Sequence, residues 1–142
     1  MRQRIRKVLF VIFCLIILWM TILSRTPGNN RIVKLELLWA YRAWIAGKSY
    51  GQAESIQNIL NIVLFVPFGF LFPKRSWKYL IITVMVFSVV IEMTQYIWIL
   101  GWCELDDVIC NTLGAVIGFR LWLWIGHKEE KKNEIGKKTR LL

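Results

Sequence analysis

Four stretches of this chain are long and apolar enough to be candidates for crossing a lipid bilayer. A transmembrane helix needs about 20 mostly apolar residues, and the candidates are residues 8–23, 56–72, 79–100 and 105–126. Apolar residue types make up 56% of the 142 residues, and the mean hydropathy is +0.48. These values exclude a disordered chain, a disulfide scaffold and an ordinary soluble domain. The sequence therefore predicts one membrane domain, residues 1–142, an all-α membrane protein with about four transmembrane helices in a small bundle.

The first apolar stretch has two interpretations. It follows a basic start, MRQRIRK, which is also how a cleaved signal peptide begins. No small-residue cleavage site follows it, because residues 21–25 read TILSR. We therefore favour a span that is retained.

The placement of the basic residues predicts the orientation of the bundle. With both termini in the cytoplasm, 13 Lys and Arg side chains lie on the cytoplasmic side, including the basic tail 127–142, and 5 lie opposite. Cytoplasmic segments carry such an excess, so we expect a multi-pass protein of the bacterial cytoplasmic membrane. Basic segments beside a membrane bind anionic lipids, so the net charge of +10 indicates membrane lipids as partners and no nucleic acid.

The segment between the first two spans is more than a linker. Residues 31–50 alternate large apolar and Trp side chains with Arg and Lys. This composition suits an interfacial helix lying at the outer membrane surface. It equally suits a structured loop packed on the spans, and both interpretations stay open at this point.

Six polar residues fall in the outer halves of the second, third and fourth spans: Asn58, Asn61, Glu92, Gln95, Asp107 and Asn111. An ionised carboxylate alone in hydrocarbon is costly, so Glu92 must be paired, protonated or facing water. A helix advances 100° per residue, which places Gln95 on the same face as Glu92, and Asn111 on the same face as Asp107. We expect a polar pocket that three helices share and that opens outward, with Gln95, Asp107 or Asn111 as the partner of Glu92.

Small residues predict where the helices touch. Gly114 and Gly118 lie on one face of the fourth span, and such spacing lets another backbone approach closely. Ala115 lies about 60–100° away from them around the helix, so we expect a bulky residue there to be milder. Pro67 should kink or locally break the second span. Glu104 and Asp106 precede or begin the fourth helix, where acidic residues cap free N–H groups.

Three motifs give a family resemblance. Residues 61–69, NIVLFVPFG, resemble the N-x-x-x-F-x-P-x-G signature of the VanZ-like family. Glu92 and Gln95 resemble its E-x-x-Q signature, and residues 106–114, DDVICNTLG, resemble D-D-x-x-x-N-T-x-G. The resemblance covers about residues 56–126, and within it we assign Pro67 and Gly69 to helix packing. Members often carry an Arg a few residues before the Asp pair, whereas residues 101–104 read GWCE.

The resemblance implies a small multi-span envelope protein, and the founding member is linked to resistance to teicoplanin-type glycopeptides. It implies no reaction. We expect Asn61, Glu92, Gln95, Asp107 and Asn111 to bind a polar or lipid-linked envelope precursor, or a lipophilic glycopeptide. This hypothesis makes the protein a binding protein more than an enzyme.

Two alternatives stay open. One is an intramembrane hydrolase or transferase in which Glu92 and Asp107 are the candidate catalytic acid and base. The other is a small transporter, a homo-oligomer formed through Gly114 and Gly118. Neither a Ser–His nor a Cys–His set is available, because the single His127 lies at the far end of the fourth span. The Cys spacing shows no metal motif, so we expect no metal and no cofactor.

Overall fold

A computed structural model describes residues 3–74 and 76–139. Arg2, Arg75 and Arg140, which enter the charge count above, lie outside these described residues. In chain order the elements are α1 (Gln3–Leu18) with a π-helical continuation (Trp19–Leu23), β1 (Val33–Lys34), α2 (Trp39–Ile45), α3 (Ser49–Leu71), α4 (Trp77–Trp98), β2 (Cys103–Glu104) and α5 (Leu105–Thr139).

Four of the helices confirm the predicted all-α membrane fold. Within the described residues, four helical segments are long and apolar enough to cross a membrane: Gln3–Leu23, Ser49–Leu71, Trp77–Trp98 and Leu105–His127. Large apolar side chains such as Val11, Val63 and Val86 are exposed on the outside of the bundle. A lipid environment covers such surfaces without the cost that water would impose.

The helix ends differ from the sequence prediction at several points. α3 begins seven residues earlier than predicted and stays helical through Pro67, so the predicted local break is wrong. α4 ends at Trp98 because Ile99 adopts a left-handed conformation, φ 55°, which stops helical hydrogen bonding. α5 continues past the predicted span to Thr139, through a sequence rich in Lys and Glu, which are good helix formers.

The closest helix pair is α3 and α5. The two helices run in the same direction, because α4 crosses the bundle between them. A methyl group on Gly114 would meet the carbonyl oxygen of Ile62, and one on Gly118 would meet that of Val66. A methyl group on Gly69 would likewise meet the Ala115 carbonyl oxygen, and Ala115 itself is fully buried. The expectation that Ala115 lies off the contact face is therefore wrong.

Phenylalanine rings fill the core next to these glycines. Phe65 and Phe68 of α3 are buried, and Phe68 lies against Phe10 of α1 with a centroid distance of 4.9 Å and against Phe87 of α4 at 5.6 Å. Phe119 of α5 belongs to the same cluster. Three helices thus pack around α3, which fixes its register within the bundle.

Residues 24–48 fold over one end of the bundle, and we call them the cover. β1 pairs in parallel with β2, with Val33 opposite Cys103 and Lys34 opposite Glu104. The Gly28 N–H also donates to the Ile99 carbonyl at 2.7 Å. The helix expected between the first two spans is present as α2, but it has only seven residues and packs on α3. The cover therefore combines a short helix with a loop packed on the spans.

Candidate functional site

The five predicted binding residues all lie at the covered end of the bundle. Asn61 on α3, Glu92 and Gln95 on α4, and Asn111 on α5 are buried, and Asp107 on α5 is half-buried. Three helices therefore contribute to one cluster of polar side chains beneath the cover. Whether these side chains bind a ligand stays a prediction.

Glu92 has a partner that the sequence did not indicate. Its Oε2 accepts a hydrogen bond of 2.8 Å from the backbone N–H of Glu104 in β2. The expectation that Gln95, Asp107 or Asn111 would be this partner is wrong. Asp107 and Glu104 nevertheless lie close enough for their charges to act on the Glu92 carboxyl group. Glu92 thus joins α4 to the start of α5 and stands among other acids.

Asp107 faces a row of amides on α3. The side chain of Asn61 lies close enough to the Asp107 carboxyl group to act on it. The Asn61 Oδ1 accepts a hydrogen bond of 3.1 Å from the Gln57 Nε2. Because the Asn61 oxygen accepts from Gln57, the Asn61 amide has its N–H₂ group left to face Asp107. Asp107 and Glu92 therefore sit in different environments, because Asp107 lies beside a side-chain amide whereas Glu92 accepts a hydrogen bond from a backbone N–H.

Gln95 points away from the two acids. Its Nε2 donates to the carbonyl oxygen of Thr21 at 2.9 Å. Thr21 lies in the π-helical continuation of α1, where i to i+5 bonding replaces the usual pattern. Gln95 therefore links α4 to the first span at the edge of the cluster.

Two amides in the cluster have an unused hydrogen-bonding atom. Asn58 is 1% exposed and Asn111 is 4% exposed. Among the residues that the structure describes, the Nδ2 of Asn58 and the Oδ1 of Asn111 have no hydrogen-bond partner. Each unsatisfied buried group costs about 1–3 kcal/mol. One donor and one acceptor in the cluster are thus unsatisfied.

Glu104 and Asp106 hold the cover in place. Asp106 lies in the first turn of α5 as predicted, but both acids accept hydrogen bonds from the cover rather than from their own helix. The Trp39 Nε1 donates to the Glu104 Oε2 at 2.8 Å, and the backbone N–H of Leu38 donates to the Asp106 Oδ1 at 3.0 Å. Both acids are buried. Burial raises the pKa of Glu104 to about 7, although the hydrogen bond from Trp39 lowers it. The predicted outward opening is therefore closed by the cover in this conformation.

Arg25 is a component of the site that sequence reasoning missed. Its side chain is half-buried at the start of the cover, and its charge acts on three carboxyl groups, those of Glu54, Glu92 and Asp107. A methyl group on Gly101 would lie 2.6 Å from the Arg25 Nη1, so the guanidinium contacts the turn that precedes β2. That turn lacks the Arg expected there, and Arg25 supplies a positive charge from another segment. The sequence signal that could have indicated this role is the position of Arg25, a cation directly after the first apolar span.

The remaining predicted elements lie elsewhere. His127 lines a groove at the opposite end of the bundle with Trp77 and Arg120, as its position in the sequence indicates. Within residues 3–74 and 76–127, no group of three or more His, Cys, Asp or Glu side chains is arranged to hold a metal ion. The chemistry of the covered cluster is that of carboxyl groups, amides and one guanidinium.

Comparison with known proteins gives one family and one curated relative. A sequence model of the VanZ/LLP1 family matches residues 10–126. Protein VanZ of Enterococcus faecium is 34% identical to the chain over an alignment of 81 positions, and this alignment covers 54% of the chain. The aligned part spans 50% of that relative's length. No solved structure shows significant similarity.

Proposed function

The chain belongs to the VanZ/LLP1 family, and from this premise we propose that it binds a polar or lipid-linked ligand of the bacterial cell envelope. The ligand is a cell-wall precursor or a lipophilic glycopeptide, and binding contributes to resistance of the teicoplanin type. The similarity to Protein VanZ supports this assignment of process.

The observation that carries the proposal is the pair of unused amide atoms. The Nδ2 of Asn58 is a donor and the Oδ1 of Asn111 is an acceptor, and both are buried on helices that pack directly together. A ligand hydroxyl or peptide group offers both a donor and an acceptor. Such a ligand recovers the free energy that these atoms lose when they are left unpaired.

The proposal includes an orientation. The excess of 13 Lys and Arg against 5 favours cytoplasmic termini in the cytoplasmic membrane. The cover and the cluster beneath it then face outward, toward the precursors and antibiotics that reach this membrane from outside. Because the cover closes the cluster, a ligand enters only when the contacts of Trp39 and Leu38 open.

A second candidate is acid/base catalysis by Glu92 and Asp107. The observation that favours it is their proximity combined with different neighbours, a side-chain amide for Asp107 and a backbone N–H for Glu92. Two carboxyl groups in unlike environments divide the roles of acid and base. The substrate in this case is an envelope lipid or precursor that is cleaved or transferred.

Substitution of Glu92 separates the two candidates. Glu92→Gln keeps the shape and the hydrogen bond from the Glu104 N–H but removes the acid, whereas Glu92→Leu removes both. If the site only binds, Glu92→Gln keeps most of the resistance and Glu92→Leu loses it. If the site catalyses, both variants lose it.

The assay is growth with and without teicoplanin in cells matched for the amount of protein in the membrane. Met93→Leu, on the exposed face of α4, controls for a change of apolar volume in the same helix turn. Glu134→Gln controls for the loss of one acid elsewhere. Full resistance with Glu92→Leu would refute both candidates.

A further inference from the structure

The cover carries a second pocket on its exposed side, separate from the buried cluster. It is a cavity of about 280 Å³, which at about 30 Å³ for each water-sized group has room for about nine such groups. Six of its lining residues bear charge or an aromatic ring: Lys34, Glu36, Trp39, Arg42, Lys48 and Tyr50. We call it the basic pocket.

Aromatic rings form the wall against which the two lysines lie. The rings of Trp39 and Tyr50 stack with centroids 6.5 Å apart and an angle of 26° between their planes. The Lys34 Nζ lies 5.0 Å from the Trp39 centroid, and the Lys48 Nζ lies 5.8 Å from the Tyr50 centroid. Each ammonium group is held by attraction to a ring face. The lysines are thus placed around a cavity without being neutralised by the rings.

The charge balance of the basic pocket is positive. Arg42 is paired with Glu36, with 3.0 Å between Nη2 and Oε2. In the part of the chain that the structure describes, neither Lys34 nor Lys48 forms a salt bridge with a carboxylate. Three cations and one acid leave an excess of two positive charges around the cavity. An anion that enters it therefore meets two cations with no competing acid partner.

The position of the basic pocket is that of lipid head groups. Tyr50 lies in the first turn of α3, and Trp39 contacts Glu104 directly before α5, so the pocket stands level with the ends of two spans. Trp and Tyr are enriched at this level of a membrane. The cover also exposes the apolar side chains of Leu37 and Ile45, each adjacent or close in sequence to pocket residues, and acyl chains cover such side chains favourably.

We propose that the basic pocket binds the phosphate group of an anionic lipid, with Lys34 and Lys48 as its charged contacts and the Trp39–Tyr50 pair as its wall. The proposal does not depend on the function of the buried cluster. It does connect the two, because Trp39 forms the wall on one side and donates to Glu104 on the other. A lipid held there lies against the residues that close the cover.

The experiment is native mass spectrometry of the full-length protein in an uncharged detergent, titrated with phosphatidylglycerol or phosphatidylcholine of identical acyl chains. The test variant is Lys34→Gln combined with Lys48→Gln. The charge-matched control is Lys7→Gln combined with Lys78→Gln, two exposed lysines at the opposite end of the bundle. Inorganic phosphate added as a competitor distinguishes a head-group phosphate from a free one.

We expect the wild type to bind phosphatidylglycerol more tightly than phosphatidylcholine. The test variant should lose about 10- to 30-fold in affinity for phosphatidylglycerol, from about a fivefold loss for each cation removed, and the control less than about threefold. Lys48→Glu should lose more than Lys48→Gln at an unchanged thermal midpoint, which a general loss of folding would not produce. Weaker competition by inorganic phosphate than by phosphatidylglycerol itself identifies the lipid as the ligand, whereas equal potency would overturn the lipid assignment in favour of free phosphate. Equal affinity of wild type and test variant, or no preference over phosphatidylcholine, would overturn the proposal.

Discussion

A single methyl group at Gly118 should separate the two helices that hold the polar cluster. The added carbon would overlap the Val66 carbonyl oxygen and would lie 2.8 Å from the Phe70 backbone nitrogen. Ordinary contacts of carbon are about 3.5–4.0 Å, so α3 and α5 must move apart by about 1 Å. A gap of this size forfeits about a quarter to a half of the dispersion energy of each affected contact.

The magnitude follows from two opposing terms. Gly→Ala in a helix interior stabilises by about 1 kcal/mol through propensity. Overpacking against backbone costs about 1–3 kcal/mol and occasionally more, and here the obstacle is a carbonyl group that no rotamer change can move. Because this obstacle is rigid, we take the upper part of the range, about 2–3 kcal/mol. Less the gain in propensity, Gly118→Ala should reduce the free energy of unfolding by about 1–2 kcal/mol.

The same helix provides a matched control at Gly126. A methyl group there would meet nothing within 4 Å, so Gly126→Ala should be neutral or stabilising by up to about 1 kcal/mol. The assay is reversible SDS-induced unfolding in mixed micelles, followed by circular dichroism. Equal effects of Gly118→Ala and Gly126→Ala would refute the claim that α3 and α5 touch at this glycine.

Three further predictions concern the cover. Because Val33 is the register partner of Cys103, Val33→Cys should form a disulfide with Cys103 in a variant without Cys14 and Cys110. Oxidation should then abolish resistance, and reduction should restore it. Resistance that is unaffected by complete oxidation would show that the cover need not open. The pKa of Glu104 in the folded protein, about 7, lies above the ordinary value of about 4.3. Thermal stability should therefore be highest at acidic pH and fall as the pH rises through 7. Glu104→Gln should flatten this fall, and an unchanged pH profile would contradict the role of Glu104 in it. With Cys14 and Cys110 replaced, an impermeant thiol reagent should label Cys103 in intact cells. The labelling is done at mildly alkaline pH, because burial raises the pKa of this thiol. Labelling only after lysis would reverse the proposed orientation.

The hydrophobic pattern was sufficient to predict the four spans, because membrane crossing depends on length and apolar composition alone. It was also sufficient to place Glu92, Asp107, Asn61 and Asn111 at the same end of the bundle, since helix geometry fixes depth. The partner of Glu92 could not be predicted in this way. It is a backbone N–H, that of Glu104, and every residue except proline carries one, so no residue type signals it.

The roles of Glu104 and Asp106 show a second limit of sequence patterns. Acids at the start of a helix usually cap that helix, and this local rule was applied to both. The structure gives them distant partners instead, in residues 38 and 39, more than 60 positions earlier in the chain. The role of Arg25 was also missed because its partners are distant in the sequence. Its sequence neighbours are apolar or uncharged, and the acids on which its charge acts lie on α3, α4 and α5.

The parallel pairing of β1 with β2 has a consequence for biogenesis. β1 leaves the insertion machinery after the first span, whereas its partner emerges only when the third span has crossed and the fourth begins. During that interval the strand and the N–H groups of Leu38 and Trp39 have no native acceptors, because Glu104 and Asp106 are not yet in place. The final step of assembly is therefore the docking of an early segment onto a late one. A truncation before residue 103 should leave residues 29–38, which include β1, accessible to protease even when the first three spans are fully inserted.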